Sequence, residues 1–181
     1  MLGYAVVRNS LVPRLFLVVV LGVPAGCQGH RETETKPLGT VGVAPPPPTV
    51  RSPVLSIGQE AKLPSYSIRL LSVRDCGATD AGIPSRNNTL LGVEVEIKSL
   101  SELPLPVNPF YLTLTDDDHF NYTTALLGCQ PELRATRLSD GATARGFVSF
   151  EVPSNVNQFL AEYHPVLPAN AKYTARFRFR R

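Results

Sequence analysis

The strongest pattern along the chain is a strict alternation of apolar and polar positions. Leu91, Val93, Val95 and Ile97 alternate with Gly92, Glu94, Glu96 and Lys98. Successive side chains of a strand point to opposite faces, so this period of two predicts a strand with one buried face. Ala144, Gly146, Val148, Phe150 and Val152 repeat it against Arg145, Phe147, Ser149 and Glu151. Tyr173, Ala175, Phe177 and Phe179 do so against Lys172, Thr174, Arg176, Arg178 and Arg180. Segments 54–58, 65–75, 109–115 and 118–124 read as further strands. Within 65–75 the apolar set moves from Tyr66, Ile68 and Leu70 to Leu71 and Val73, which predicts a β-bulge or a change of sheet. Val156, Phe159, Leu160 and Tyr163 would also suit a helix, but Pro153 and Pro165 leave little room for one. A turn leading into a strand over 158–163 is expected instead.

Turn signals separate these runs: Asn87-Asn88, Asp116-Asp117-Asp118, Ser139-Asp140-Gly141 and Pro168-Ala169-Asn170. About seven or eight short strands with regular punctuation predict an all-β chain folded as an antiparallel β-sandwich over residues 54–181.

Upstream the pattern is different. Arg8 and Arg14 precede an apolar run from Leu15 to Val23, followed by small Ala25 and Gly26 and then Cys27. A basic start, a short apolar core and a small-residue exit make an export signal. A transmembrane anchor needs about 20 apolar residues; this run is shorter, and Pro24 closes it. Val23-Pro24-Ala25-Gly26-Cys27 resembles a bacterial lipobox, with Pro24 where Leu is usual. The resemblance implies cleavage after residue 26 and acylation of Cys27. Ordinary cleavage after Ala25 is the alternative, since Val23 and Ala25 also satisfy the small-residue rule. Gln28 after the cysteine resembles the sorting pattern for an outer membrane. Residues 27–53 then form a proline-rich tether, with Pro37, Pro45 to Pro48 and Pro53 and no aromatic residue. Such a segment buries too little apolar surface to offset its ordering entropy. As polyproline II it would reach at most roughly 80 Å.

The order Ile57-Gly58-Gln59-Glu60, a strand near 65–74, Gly92 to Lys98, Phe110 to Asp116, Ser139-Asp140-Gly141 and Gly146 to Pro153 carries a family resemblance. It resembles the bacterial secreted immunoglobulin-like (telokin-like) lipoproteins of unknown function, a group akin to telokin and to mycobacterial immunoprotective antigens. The resemblance spans roughly 55–165. It implies an immunoglobulin-like sandwich behind a signal and a tether, and it implies no particular activity.

Composition sharpens the picture. Apolar residues make up 43% of the 181 residues and charged ones 18%, with 17 prolines, 13 glycines and no tryptophan. That excludes a disordered polyelectrolyte and a multi-span membrane protein. Setting aside Arg8 and Arg14 leaves 16 basic against 15 acidic side chains, so the formal +3 falls to +1. Nucleic acid is not an expected partner. Of the three cysteines, an acylated Cys27 leaves Cys76 and Cys129, which in an exported chain read as a disulfide.

Candidate chemistry is sparse. Asp116, Asp117 and Asp118 could collect a hard cation, yet the alternating ligands and distant glutamate of an EF-hand are missing. The histidines are His30, His119 and His164, with no HExxH, GxSxG, P-loop or dinucleotide fingerprint. No catalytic residue and no cofactor is therefore expected. Arg176, Arg178 and Arg180 share one face of the last strand, beside Arg181. They could grip an acidic glycan or lipopolysaccharide phosphate, or simply discourage edge pairing. The expected role is a lipid-anchored cell-envelope protein that binds a protein or glycan partner through the 77–88 loop, the 125–138 connection or a sheet face. The alternative is a small metal-binding or hydrolytic module using Asp116–Asp118 and a histidine.

Overall fold

A computed structural model describes residues 45–77 and 83–181. The expected signal, Cys27 and most of the tether lie outside these residues. Among the described residues the elements are β1 (Thr49–Leu55), β2 (Glu60–Lys62), β3 (Tyr66–Asp75), β4 (Asn88–Ser99), β5 (Leu105–Val107), β6 (Leu112–Asp116), β7 (Asn121–Tyr122), β8 (Thr124–Ala125), β9 (Thr136–Leu138), β10 (Thr143–Pro153), β11 (Gln158–Tyr163) and β12 (Lys172–Arg180). Single 3₁₀ turns stand at Pro109–Tyr111 and Pro168–Asn170. Seven strands are five residues or longer, and five are two or three residues. The count thus exceeds the expected seven or eight because short pairings at the rims break no apolar period.

One sheet has the order β1-β12-β11-β6-β7 and the other β2-β3-β4-β10-β8; β5 and β9 pair separately. The alternation predicted from sequence decides which residues meet between them. Val93 stands opposite Val148 and Leu91 opposite Phe150 in one sheet. In the other, Phe177 stands opposite Ala161, which in turn faces Leu114. Tyr66, Ile68, Leu70, Leu91, Phe150, Phe159 and Phe177 are fully or almost fully buried in this common core. Each such side chain stabilises the fold by roughly 1.5–3 kcal/mol relative to exposure.

The phase slip in 65–75 is a bulge: the β3–β4 register shifts between Leu70 and Ser72, and β3 stays in its sheet. Asn87 and Gly141 take φ of 69° and 72° in the expected turns, and Asn170 takes 55°. These are left-handed conformations that Asn and Gly adopt at least cost.

Other expectations change. Among the described residues the first strand begins at Thr49, not Val54, so Thr49–Pro53, expected in the tether, belong to β1. The strand β1 runs parallel to β12, so the sandwich is not wholly antiparallel. The register shifts between Arg51 and Val54. There the buried Ser52 hydroxyl accepts from the Arg176 amide at 2.9 Å, standing in for a ladder carbonyl. Pro53, which has no N–H, is tolerated because β1 is an edge strand. The segments 109–115 and 118–124 are also broken up, into a 3₁₀ turn before β6 and into β7 and β8.

Candidate functional site

Two chain segments of the expected recognition role, 83–88 and 125–134, meet on one side of the sandwich. A disulfide joins Cys76, at the end of β3, to Cys129, with their Cα atoms 4.9 Å apart. It rests on β4 at Gly92, where a Cβ would collide with the Cys129 sulfur. Glycine is required here for close approach, not for its backbone freedom. Leu90 and Phe147 pack beside the disulfide as a small second cluster on the outer face. The Arg74 guanidinium covers the Phe147 ring at 4.5 Å and donates to the Gln130 carbonyl at 3.0 Å. Ser149 Oγ accepts from the Cys129 amide at 3.0 Å. Gly128 lies directly against that hydroxyl, leaving no space for a side chain. The disulfide therefore anchors the start of the 77–88 loop and the end of the Leu126-Leu127 turn to the same strands.

Between these anchors the chain exposes apolar side chains. Ile83 is 94% exposed, Leu126 79%, Leu127 51% and Phe110 59%. Leu126 and Leu127 form a ridge between two depressions. One, of about 110 Å³, is lined by Pro109, Phe110, Leu133, Phe147 and Val148 together with the ridge. The other, open and of about 300 Å³, is lined by Ile83, Pro84, Leu90 and the ridge. Residues from three separate connections thus make one apolar edge. Glu132 stands at the first depression and Glu151 at the second. The Ser85 amide donates to Glu151 Oε1 at 2.8 Å and Asn88 Nδ2 at 2.9 Å. Hydrogen bonds from Ser85, then Asn88, hold the Glu151 carboxyl below the usual carboxylate range.

The remaining candidates do not converge. Asp116 continues the inward face of β6 and is buried, accepting from the Tyr122 hydroxyl at 2.6 Å and the Phe120 amide at 2.9 Å. The Tyr122 bond is the chief reason its carboxyl lies below the ordinary range. Asp117 instead accepts from Gln158 at 3.2 Å, and Asp118 is exposed. Among the described residues, no group of three or more His, Cys, Asp or Glu is placed to hold a metal ion. His164 follows Tyr163, which pairs with Leu112 at the far end of β6 from Asp116. Five strand residues separate the two levels, roughly 16 Å. His164 contacts Thr113 Oγ1 at 3.2 Å, and burial lowers its pKa. His119 sits in the turn after the aspartates with φ 65°.

The arginine ladder is on the outer face of β12, and most of it is paired. Arg176 meets Glu162 at 3.3 Å, Arg180 donates to Gln158 at 3.0 Å, and Arg181 meets Asp75 at 3.6 Å. Arg178 is exposed. Sequence pattern placed the two loops but did not single out Ile83, Leu126, Leu127 or Phe110. The available signal was that these apolar residues sit in or beside turns, outside any period of two.

No protein family matches the sequence, and no curated protein matches it significantly. Solved structures do share the fold. The ycdA protein of Bacillus subtilis, a candidate lipoprotein, is 17% identical with a TM-score of 0.57, over 67% of this chain and 38% of its own. This chain therefore spans well under half of ycdA. The yjhA protein of the same organism is 16% identical with a TM-score of 0.56, over 68% and 99%. MPT63, a secreted protein from Mycobacterium tuberculosis, is 9% identical with a TM-score of 0.50, over 74% and 98%. At such identities the likeness is one of fold: this chain is a β-sandwich like these bacterial proteins.

Proposed function

We propose that this chain is an exported protein, lipid-anchored through Cys27 at the bacterial cell envelope, whose immunoglobulin-like domain acts by binding a partner and not by catalysis. The outer membrane is the proposed anchor site, from the Gln28 pattern. The observation that carries the binding role is the apolar edge, where Ile83, Phe110, Leu126 and Leu127 are each more than half exposed. Monomeric soluble proteins rarely leave large apolar side chains gathered in this way unless the surface is covered in use. The anchoring disulfide and the close-packed Gly92 and Gly128 support the reading, because a preformed edge loses less entropy on binding. Lipobox-like residues before Cys27, and fold neighbours that include a candidate lipoprotein and a secreted protein, support export.

A photo-crosslinking residue at Leu127 in intact envelopes should yield a discrete adduct. The same residue at Thr115, on the opposite sheet, should not. An adduct pattern identical at the two positions, or unchanged by Leu126→Ser with Ile83→Ser, would refute the edge as the binding surface.

A further inference from the structure

β1, β12 and β11 stand side by side in their sheet. They carry five basic side chains, Arg51, Lys172, Arg176, Arg178 and Arg180, against one carboxylate, Glu162. The other described residues carry nine basic and eleven acidic side chains. The five cations share the outer face. Ala175, Phe177 and Phe179 of β12 fill the core, so the alternate residues point outward, and Arg51 stands opposite Thr174 on that side. Arg176 meets Glu162 at 3.3 Å. Arg180 bonds to the Gln158 amide and shares a depression with Asp117 and Asp118. Arg51, Lys172 and Arg178 are exposed and, among the described residues, take part in no ion pair. They spread over roughly 20 Å of strand, and exposed Val54 stands among them opposite Arg176.

Resting on the reading of Cys27 as a lipid anchor, we infer that this face docks on the anionic phospholipid surface of the bilayer that holds the anchor. Two observations choose that occupant. The face is basic while the rest of the described chain is not. The chain from the anchor also enters the domain through β1, the strand that carries Arg51, and the Pro48 carbonyl accepts from the Lys172 amide at 2.9 Å. As polyproline II, residues 28–48 would reach at most roughly 65 Å. Tethering within that distance makes the second contact intramolecular, at high effective concentration. A dissolved polyanion lacks this confinement, and three exposed cations hold it poorly where salt screens charge beyond about 8 Å. Beside an anionic bilayer each cation strengthens the contact about fivefold. Docking would also orient the domain. β1 begins one sheet order and β8 ends the other, with β1 beside β2 and β7 beside β10. The apolar edge around Leu126 and Leu127 thus lies on the opposite margin, clear of the bilayer and open to its partner.

The test uses the full chain, processed in a bacterial host and reconstituted in phosphatidylcholine vesicles with or without about one third phosphatidylglycerol. A photo-reactive diazirine side chain is placed at Val54 or at Leu127. Val54 should form a lipid adduct, at least about tenfold more of it with phosphatidylglycerol, and Leu127 should form none. Arg51→Gln, Lys172→Gln and Arg178→Gln together should lower the Val54 adduct at least about tenfold. Lys62→Gln, Lys98→Gln and Arg137→Gln together change the net charge equally and should leave it unaltered. Vesicle flotation in about 1 M salt, where screening removes the face contact, reports the anchor separately. A chain that does not float has no anchor, and the proposal falls with that reading. Docking is overturned, with the anchor left standing, if a floating chain gives equal Val54 adducts on the two vesicles. Equal adducts at Val54 and Leu127, or equal losses in the two triple variants, overturn it likewise. Retention on heparin that depends on the three cations, without a Val54 lipid adduct, assigns a dissolved polyanion and overturns the bilayer.

Discussion

The Tyr66 hydroxyl donates to the Tyr173 carbonyl at 2.8 Å, joining the start of β3 in one sheet to β12 in the other. The Tyr66 and Tyr163 rings meet edge to face with centroids 5.6 Å apart. Tyr163 is equally buried, yet its hydroxyl has no hydrogen-bond partner among the described residues. Burial raises the pKa of both phenols. Tyr66→Phe leaves a buried carbonyl short of a donor and should cost about 1–2 kcal/mol. Tyr163→Phe removes a hydroxyl that gains nothing from the fold and should be neutral or stabilising. Thermal unfolding of the two variants tests this contrast, and equal losses would contradict it.

Gly92 and the Cys76–Cys129 disulfide should be energetically coupled. Removing the disulfide opens a sequence separation of 53 residues, for which the entropy model gives about 4 kcal/mol. Gly92→Ala places a methyl group against the Cys129 sulfur and should cost about 1–3 kcal/mol in the intact protein. In a Cys76→Ala, Cys129→Ala background the sulfur contacts are gone but the Cβ of residue 129, 2.8 Å from the new methyl, remains, so the same change should cost less without becoming neutral. Denaturant unfolding of the four proteins measures the coupling. Strict additivity would show that the sulfur does not restrict the strand.

Acid should destabilise the domain in two steps. Burial chiefly depresses the pKa of His164 below its ordinary 6.5, so the stability it contributes is complete above pH 6.5 and is lost as the pH falls through the folded value. The Tyr122 hydrogen bond chiefly depresses Asp116 below 3.8, so its contribution is complete above pH 3.8 and is lost on further acidification. Glu94, held low first by Ser72 and then by Arg145, acts in the same direction below 4.5. Unfolding free energy measured against pH should lose its upper step in His164→Gln and part of its lower step in Asp116→Asn. Unchanged profiles would remove these groups from the account.

The arginine ladder should behave as two uncompensated charges more than as four, since Arg176 and Arg181 face carboxylates while Arg180 meets only the neutral Gln158 amide. Arg178→Gln should reduce retention on heparin more than Arg176→Gln, whose guanidinium already faces Glu162. Salt elution positions compare the two directly, and the reverse order would show that the Glu162 pairing does not hold in solution.

Lipidation predicts a mature protein that begins at an acylated Cys27 and partitions with membranes. Cys27→Ala should move it to the soluble fraction. Mass analysis of the N-terminus decides, since an unmodified Gly26 or Cys27 terminus is incompatible with the anchor.

The strands were legible because period-two alternation is a local property, written wherever one face of a sheet is buried. Leu91, Val93, Val95 and Ile97 turn inward as their spacing requires, and even the slip at Leu70–Ser72 appears as a bulge. Turns at Asn87 and Gly141 were legible for the same reason, since left-handed backbone favours few residue types. The place of Thr49–Pro53 was not, because pairing with β12 lies more than a hundred residues away and Pro53 masks a strand that tolerates it at an edge.

The apolar edge lies outside the alternation. Period two says which side chains leave the solvent, and Ile83, Phe110, Leu126 and Leu127 fall outside it. Only the tertiary structure, through the disulfide resting on Gly92 and the passage of β8 onto β10, brings those side chains together. A core is determined by neighbours along the strand; this surface is determined by where distant connections are tied down.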